Sequence, residues 1–438
     1  MRGAIDELEV RRPPSGAESG RPRRVAGRAA RNRGKARLRV LAALFCFAAG
    51  VQAQGMRQVP VSGGSVRIGV LTDLAGPYSG NAGEGSVRAA RLAVEDFGGK
   101  VLGRPVEVLA ADHQNKPDLG AGKAREWIDR DGVDVILDLV NGAVALAVIR
   151  VVQEKHRIAL VTGTALDRIT NEDCGPNHFQ WGFDGFALAR IAVAPIVRAG
   201  GRNWFFVTPD YPFGHSLQKA ATERIEASGG RVAGAAVYPF PGSDFGPQVL
   251  KAQSAGADVI ALANAGTDAQ NTLRAARELG GPLPLKRVAF VMPIDDIDGI
   301  GLKLAQGMYV AEAFYWDQDE ATRAFARRYF DMMKRMPTVA HAAAYSAVLH
   351  YLRSVQAAGT DASEPVLARM RAAPVRDFYA KEGRLRADGM LLHDMLLLQV
   401  KAPEESRYPW DYLRVVDRVK AGDAFRAPAE SRCPLLRR

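Results

Sequence analysis

Two short stretches carry residue types suited to holding a small anion. Asn141-Gly142-Ala143 follows the apolar, β-branched run 133–140 and opens a helix. Asn141 is a good N-cap, and free N–H groups after it suit a carboxylate, because a helix start has unpaired donors and the positive end of the dipole. Thr162-Gly163-Thr164-Ala165 follows the next apolar run, 158–161, and adds two hydroxyls to the same neighbourhood. Either loop alone also reads as an ordinary cap or turn, so the elements that place them decide the matter. Run 133–140 as a strand, a helix from 142 and run 158–161 as a second strand make a β-α-β unit. Such units are almost always right-handed crossovers. Both loops then lie at the carboxyl ends of neighbouring parallel strands, the edge of an open α/β sheet where small ligands bind.

The same plan recurs along the chain. Strands are predicted at 67–74, 105–114, 204–210, 231–240, 258–266 and 287–292, with a short strand or linker at 178–184. Helices are predicted at 82–97, 117–130, 185–199, 214–228, near 244–255 and at 267–279. Strand–loop–helix units in both halves predict two doubly wound α/β domains rather than a repeat solenoid. After Gly307 the sequence reads as helical over 320–336, 339–358 and 365–373. An apolar strand at 390–401 and a loop-rich tail with four prolines follow.

Enzyme chemistry finds little purchase. Residues 80–85 (GNAGEG) fall where a dinucleotide fingerprint would sit, but the glycine spacing is wrong, and only Asp112 stands near a ribose-binding position. There is no P-loop, no H-E-x-x-H and no G-x-S-x-G. The seven histidines are scattered; His341 and His350 share a helix without metal-ligand spacing. Asp295, Asp296 and Asp298 cluster in a predicted loop and lack a further ligand in register. Neither a cofactor nor a metal is therefore expected. Tyr78, Trp181, Phe183, Tyr211 and Phe213 fall in loops after predicted strands or in the crossing segment, and together suggest an apolar-walled cleft with a few polar anchors.

Residues 1–39 are Arg-rich, 40–49 form an apolar run too short to span a bilayer, and Val51-Gln52-Ala53 reads as a cleavage site. Residues 1–53 are thus expected to be a secretory leader, with Gln54 the mature N-terminus. The leader holds 12 basic and 4 acidic residues of the chain's 59 and 48, so the remainder carries 47 and 44, a net of +3 rather than +11. Nucleic-acid binding loses its main support. Of three cysteines only Cys174 and Cys433 survive cleavage, and an even pair in an exported chain predicts a disulfide.

Taken together, the segments RIGVLTDLAGPYSG, AARLAVEDFGGKVLGRPVEVLAADHQNKPD, TPDYPFGHS, DFGPQVLKAQSAGADVIALANAG and GLKLAQGMYVAEAFYWD, with the NGA and TGTAL loops, resemble exported solute-binding proteins of the leucine/isoleucine/valine-binding type, which feed ABC transporters. The resemblance covers nearly the whole mature chain. It implies two Rossmann-like lobes joined by three crossings, near 185, 310 and 390, that close over a ligand. Lobe 1 would comprise 66–185 and 311–389; lobe 2 would comprise 186–310 and 390–438 with the tail. By the same resemblance, residues 141–143 form the first-lobe anion loop, with Gly142 and Ala143 where serines are frequent, so that backbone N–H and Asn141 bind. Thr164 and Ala165 match the second ligand loop, Phe213 covers the ligand, and Asn264, Ala265 and Gly266 line the second lobe. Asp295 or Asp296 is the candidate partner for a ligand ammonium.

The resulting expectation is a monomeric periplasmic protein, not an enzyme, that takes a small carboxylate-bearing compound of hydrophobic amino-acid type to membrane permease subunits. An aromatic-acid or amide binder of the same family is the alternative. A ligand-sensing module for a receptor shares the fold, and the sequence does not separate the two roles.

Overall fold

A computed structural model describes residues 61–279 and 286–437; the expected leader lies outside them. The first sheet is built from β1 (Val66–Thr72), β2 (Lys100–Val101), β3 (Arg104–Asp112), β4 (Val135–Asp138), β5 (Ile158–Val161) and β6 (His178–Gln180), in the order β2-β3-β1-β4-β5-β6. All neighbours pair parallel except β2 with β3. β4 and β5 are buried throughout, as central parallel strands covered on both faces must be. The predicted run 133–140 ends early because Asp138 and Leu139 adopt positive φ (86° and 58°), which turns the chain out of the sheet toward Asn141.

The second sheet holds β7 (Asn203–Pro209), β8 (Arg231–Tyr238), β9 (Val259–Leu262) and β10 (Lys286–Ala289), in the parallel order β10-β9-β7-β8. Beside it stands an antiparallel sheet that the sequence reading missed in part. β11 (Tyr309–Glu312) pairs with the later β14 (Met395–Val400), which pairs with β15 (Leu413–Val419). β11 falls in a stretch read as turning helical, and β15 in the predicted loop-rich tail. The apolar run 390–401 is also two strands. Between β11 and β14 lie β12 (Arg384–Leu385) and β13 (Leu391–Leu392), a two-stranded pair, and His393-Asp394 separates β13 from β14.

Helix Val339–Ala358 is buried around most of its circumference and packs on helix Gly83–Phe97, anchoring the first lobe. Helix Gly185–Arg198 packs instead against β11 and β14, in the second lobe. The chain therefore passes between lobes after β6, after β11 and before β14. The Cys174–Cys433 disulfide expected from the cysteine count is formed, with the Cα atoms 5.8 Å apart, and ties the tail beyond β15 to the first lobe.

Candidate ligand cleft between the lobes

The two anion-type loops meet as the crossover argument requires. A Cβ on Gly142 would lie 3.3 Å from Thr164 Oγ1, so the small residue lets the NGA loop close on the threonine loop. Asn141 caps its helix: Oδ1 accepts from the N–H of Ala143 at 2.9 Å and of Val144 at 3.2 Å. This corrects the expectation of free amides there, since two of the first donors are already held by the cap. Thr164 and Ala165 line a cavity of about 20 Å³ together with Asn81, Val140, Gly163, Ala265 and Val291. Its ring walls are Tyr78, Phe183, Tyr211 and Phe213. No charged side chain lines it.

The cavity is small because the lobes are shut on it; about 20 Å³ is near the minimum for one water molecule. Tyr78 Oη and Tyr211 Oη are 2.5 Å apart across the cleft, and the Tyr78 ring stacks on Phe240 at 5.3 Å. Burial pushes both phenols above their usual range. The N–H of Thr267 donates to Pro77 O at 3.3 Å. Gly266 sits at φ 61°, and a Cβ there would come 2.3 Å from the same Pro77 oxygen. Only glycine fits this close approach in that conformation.

The acids lie beside the cavity, along the seam. Asp295, Asp296 and Asp298 belong to helix Ile294–Ile300 rather than to a loop. Asp295 Oδ2 accepts from Arg335 Nη1 at 2.9 Å, yet burial outweighs the guanidinium and pushes its carboxyl up to about 7. Asp296 accepts from Gln270 Nε2 at 2.8 Å and from Asn81 Nδ2 at 3.5 Å, and burial raises it to about 6. Glu312, at the end of β11, is buried with neither carboxylate oxygen hydrogen-bonded, and desolvation with repulsion from Asp296 raises it to about 8. Sequence reading passed over Glu312 because its stretch looked helical. Asn81 was passed over too, inside a segment weighed only as a dinucleotide fingerprint.

Asn141, Gly142, Ala143 and Gly266 are not among the residues that line the cavity, and two further expected site residues are placed elsewhere. Trp181 is fully buried, its Nε1 donating to Ser346 Oγ at 3.0 Å and its ring 5.6 Å from His350, so it packs the first-lobe core. Phe183, two residues on, takes the cleft position. Asn264 is buried behind the cavity, its Nδ2 donating to Tyr238 Oη at 3.0 Å and Thr272 Oγ1 at 3.1 Å; its neighbour Ala265 is the lining residue. Among the described residues no group of three or more His, Cys, Asp or Glu side chains is placed to hold a metal ion. None of the described helices is long and apolar enough to cross a membrane.

A family profile for periplasmic binding proteins matches residues 65–406. A periplasmic binding protein from Burkholderia mallei is 44% identical, with a TM-score of 0.83 over 85% of this chain and 99% of its own. The chain belongs to the periplasmic binding protein family. A branched chain amino acid ABC transporter periplasmic ligand-binding protein from Burkholderia xenovorans LB400 is 37% identical, with a TM-score of 0.76 over 85% of this chain and 100% of its own. A solute-binding protein from R. palustris, solved with benzoate, shares the fold at 20% identity, with a TM-score of 0.73 over 85% of this chain and 100% of its own. No curated protein sequence matches significantly. This periplasmic binding protein is thus a solute-binding component of the ABC-transporter type. Such proteins are not enzymes; they bind small molecules and work with permease subunits.

Proposed function

We propose that this chain captures a small carboxylate-bearing compound with an apolar, ring-sized body between its lobes and, as a monomer exported by its leader, delivers it to membrane permease subunits. One observation carries the reading: a cavity walled by four aromatic rings from both lobes, with Thr164 as a polar anchor and no charged lining group. The carboxylate is assigned to Thr164, whose hydroxyl lies close to the start of helix Gly142–Glu154, the positive end of that helix's dipole. The rings of Phe183, Tyr211 and Phe213 cover the body. Asp295 and Asp296 are committed to Arg335, Gln270 and Asn81, which supports an acid without an ammonium group.

A hydrophobic amino acid is the second reading, favoured by the description of the 37%-identical relative; it needs Asp296 to turn from Asn81 to the ligand. A thermal-shift panel on residues 54–438 separates the two, since a ligand that binds only the native state raises stability by RT ln(1 + [L]/Kd). Benzoate-type acids are expected to raise the melting temperature more than leucine, valine or phenylalanine. The reverse order would select the second reading.

A further inference from the structure

A far larger cavity, about 530 Å³, shares no lining residue with the ligand cleft. Its walls come from both lobes: Ala313 after β11, the 378–383 loop, Leu392–Asp394 before β14, and Arg418 and Lys420 at the end of β15. The volume is that of a small-molecule site, and the floor of Phe378, Tyr379 and Leu392 is apolar.

The charges around it are unbalanced in a specific way. Lys381 pairs with Asp319 at 3.0 Å and Lys420 with Asp394 at 2.7 Å, and both lysines are exposed, so an arriving anion can compete for them. Glu382 is held by Arg376 at 3.0 Å. Arg418 forms no side-chain ion pair among the described residues. In the same lining, His393 is buried with Nε2 2.7 Å from Gly182 O and Nδ1 2.9 Å from Asp394 O. Carbonyl oxygens only accept, so satisfying both contacts takes an imidazolium. Burial works against that charge. The nearest carboxylates are otherwise engaged: Asp394 with Lys420 and the Ala421 N–H, and Asp377 with Ser346 Oγ and the amides of Tyr379 and Ala380.

We propose that this cavity is a second binding site, for a small organic anion with a flat apolar body, its charge held by Arg418 and its body on Phe378, Tyr379 and Leu392. An occupant would touch both lobes at two of the three crossings. The test uses 2-naphthalenesulfonate, permanently anionic, and the neutral ring compound 2-naphthol, titrated calorimetrically into the mature chain. The sulfonate is expected to bind one-to-one, at least about tenfold more tightly than the naphthol, and to lose at least about tenfold in Arg418→Ala, the scale of a charge-assisted hydrogen bond. Its affinity is expected to be unchanged in Phe213→Ala, which alters only the interlobe cleft, so this result stands or falls separately from the proposed function. Absent sulfonate binding, equal binding to Arg418→Ala, equal affinity for the neutral ring, or loss in Phe213→Ala would each overturn the proposal.

Discussion

The two walls of the cleft are built from matching strand–loop–helix units and put them to different uses. On the first-lobe wall the loop asparagine settles its own helix: Asn141 caps Ala143 and Val144, and Thr164 is left facing the cavity. On the second-lobe wall the loop asparagine turns inward to Tyr238 and Thr272, and the helix start is given to the opposite lobe, with Thr267 N–H on Pro77 O and Gly266 pressed against it. The seam acids stand on the second-lobe side as well. The first-lobe wall thus keeps a loop hydroxyl facing the cavity, while the second-lobe loop spends its helix start on the contact between the lobes.

The sharpest way to break this division is Gly266→Ala. A side chain at φ 61° costs about 1–3 kcal/mol. The 2.3 Å approach to Pro77 O adds a clash that only opening relieves. Cleft-ligand affinity measured by calorimetry is expected to fall by about 3 kcal/mol or more, at least about a hundredfold, with a larger radius of gyration in small-angle scattering. Wild-type affinity would mean that the second wall does not govern closure.

Glu312 sharpens the electrostatic half of the comparison. Its carboxyl is raised in the fold, so its contribution to stability is present below its usual pKa of 4.5 and is lost as pH rises through about 8. Glu312→Gln removes that loss. The variant is expected to melt close to the wild type near pH ~5 and to gain on the order of a few kcal/mol over it by pH ~9. A parallel pH profile for the two proteins would show that Glu312 ionises without penalty.

Asn141→Ala is the mildest probe. It releases two amides at a helix start and is expected to cost about 1 kcal/mol of stability in chemical denaturation. A loss of ligand affinity with no loss of stability would instead make the asparagine a direct ligand contact.

Much of this arrangement is legible in the chain itself. Alternating apolar runs and helix signals locate β4, β5 and the loops after them, because central parallel strands are uniformly apolar and their carboxyl ends carry small and hydroxyl residues. Less legible is which face a residue takes in an irregular crossing. In HFQWGFD, Trp181 and Phe183 look equivalent, yet one packs on His350 and the other lines the cavity. Pairing between distant segments is also hidden: β11 and β15 are strands because β14 lies between them, and neither shows a strong local signal. The seam contacts, such as Asn81 with Asp296 and Arg335 with Asp295, join residues 215 and 40 positions apart and exist only once the lobes meet.

The most direct test of the cleft assignment is calorimetric titration of the best compound from the thermal-shift panel into the wild type, Thr164→Ala and Phe213→Ala. If the ligand carboxylate rests on the first-lobe wall, Thr164→Ala weakens binding by about 1.5–3 kcal/mol, the range for a hydrogen bond to a charged group. Phe213→Ala weakens it as well, through lost ring contact. Unchanged affinity in both variants would contradict the account and move the ligand out of this cleft.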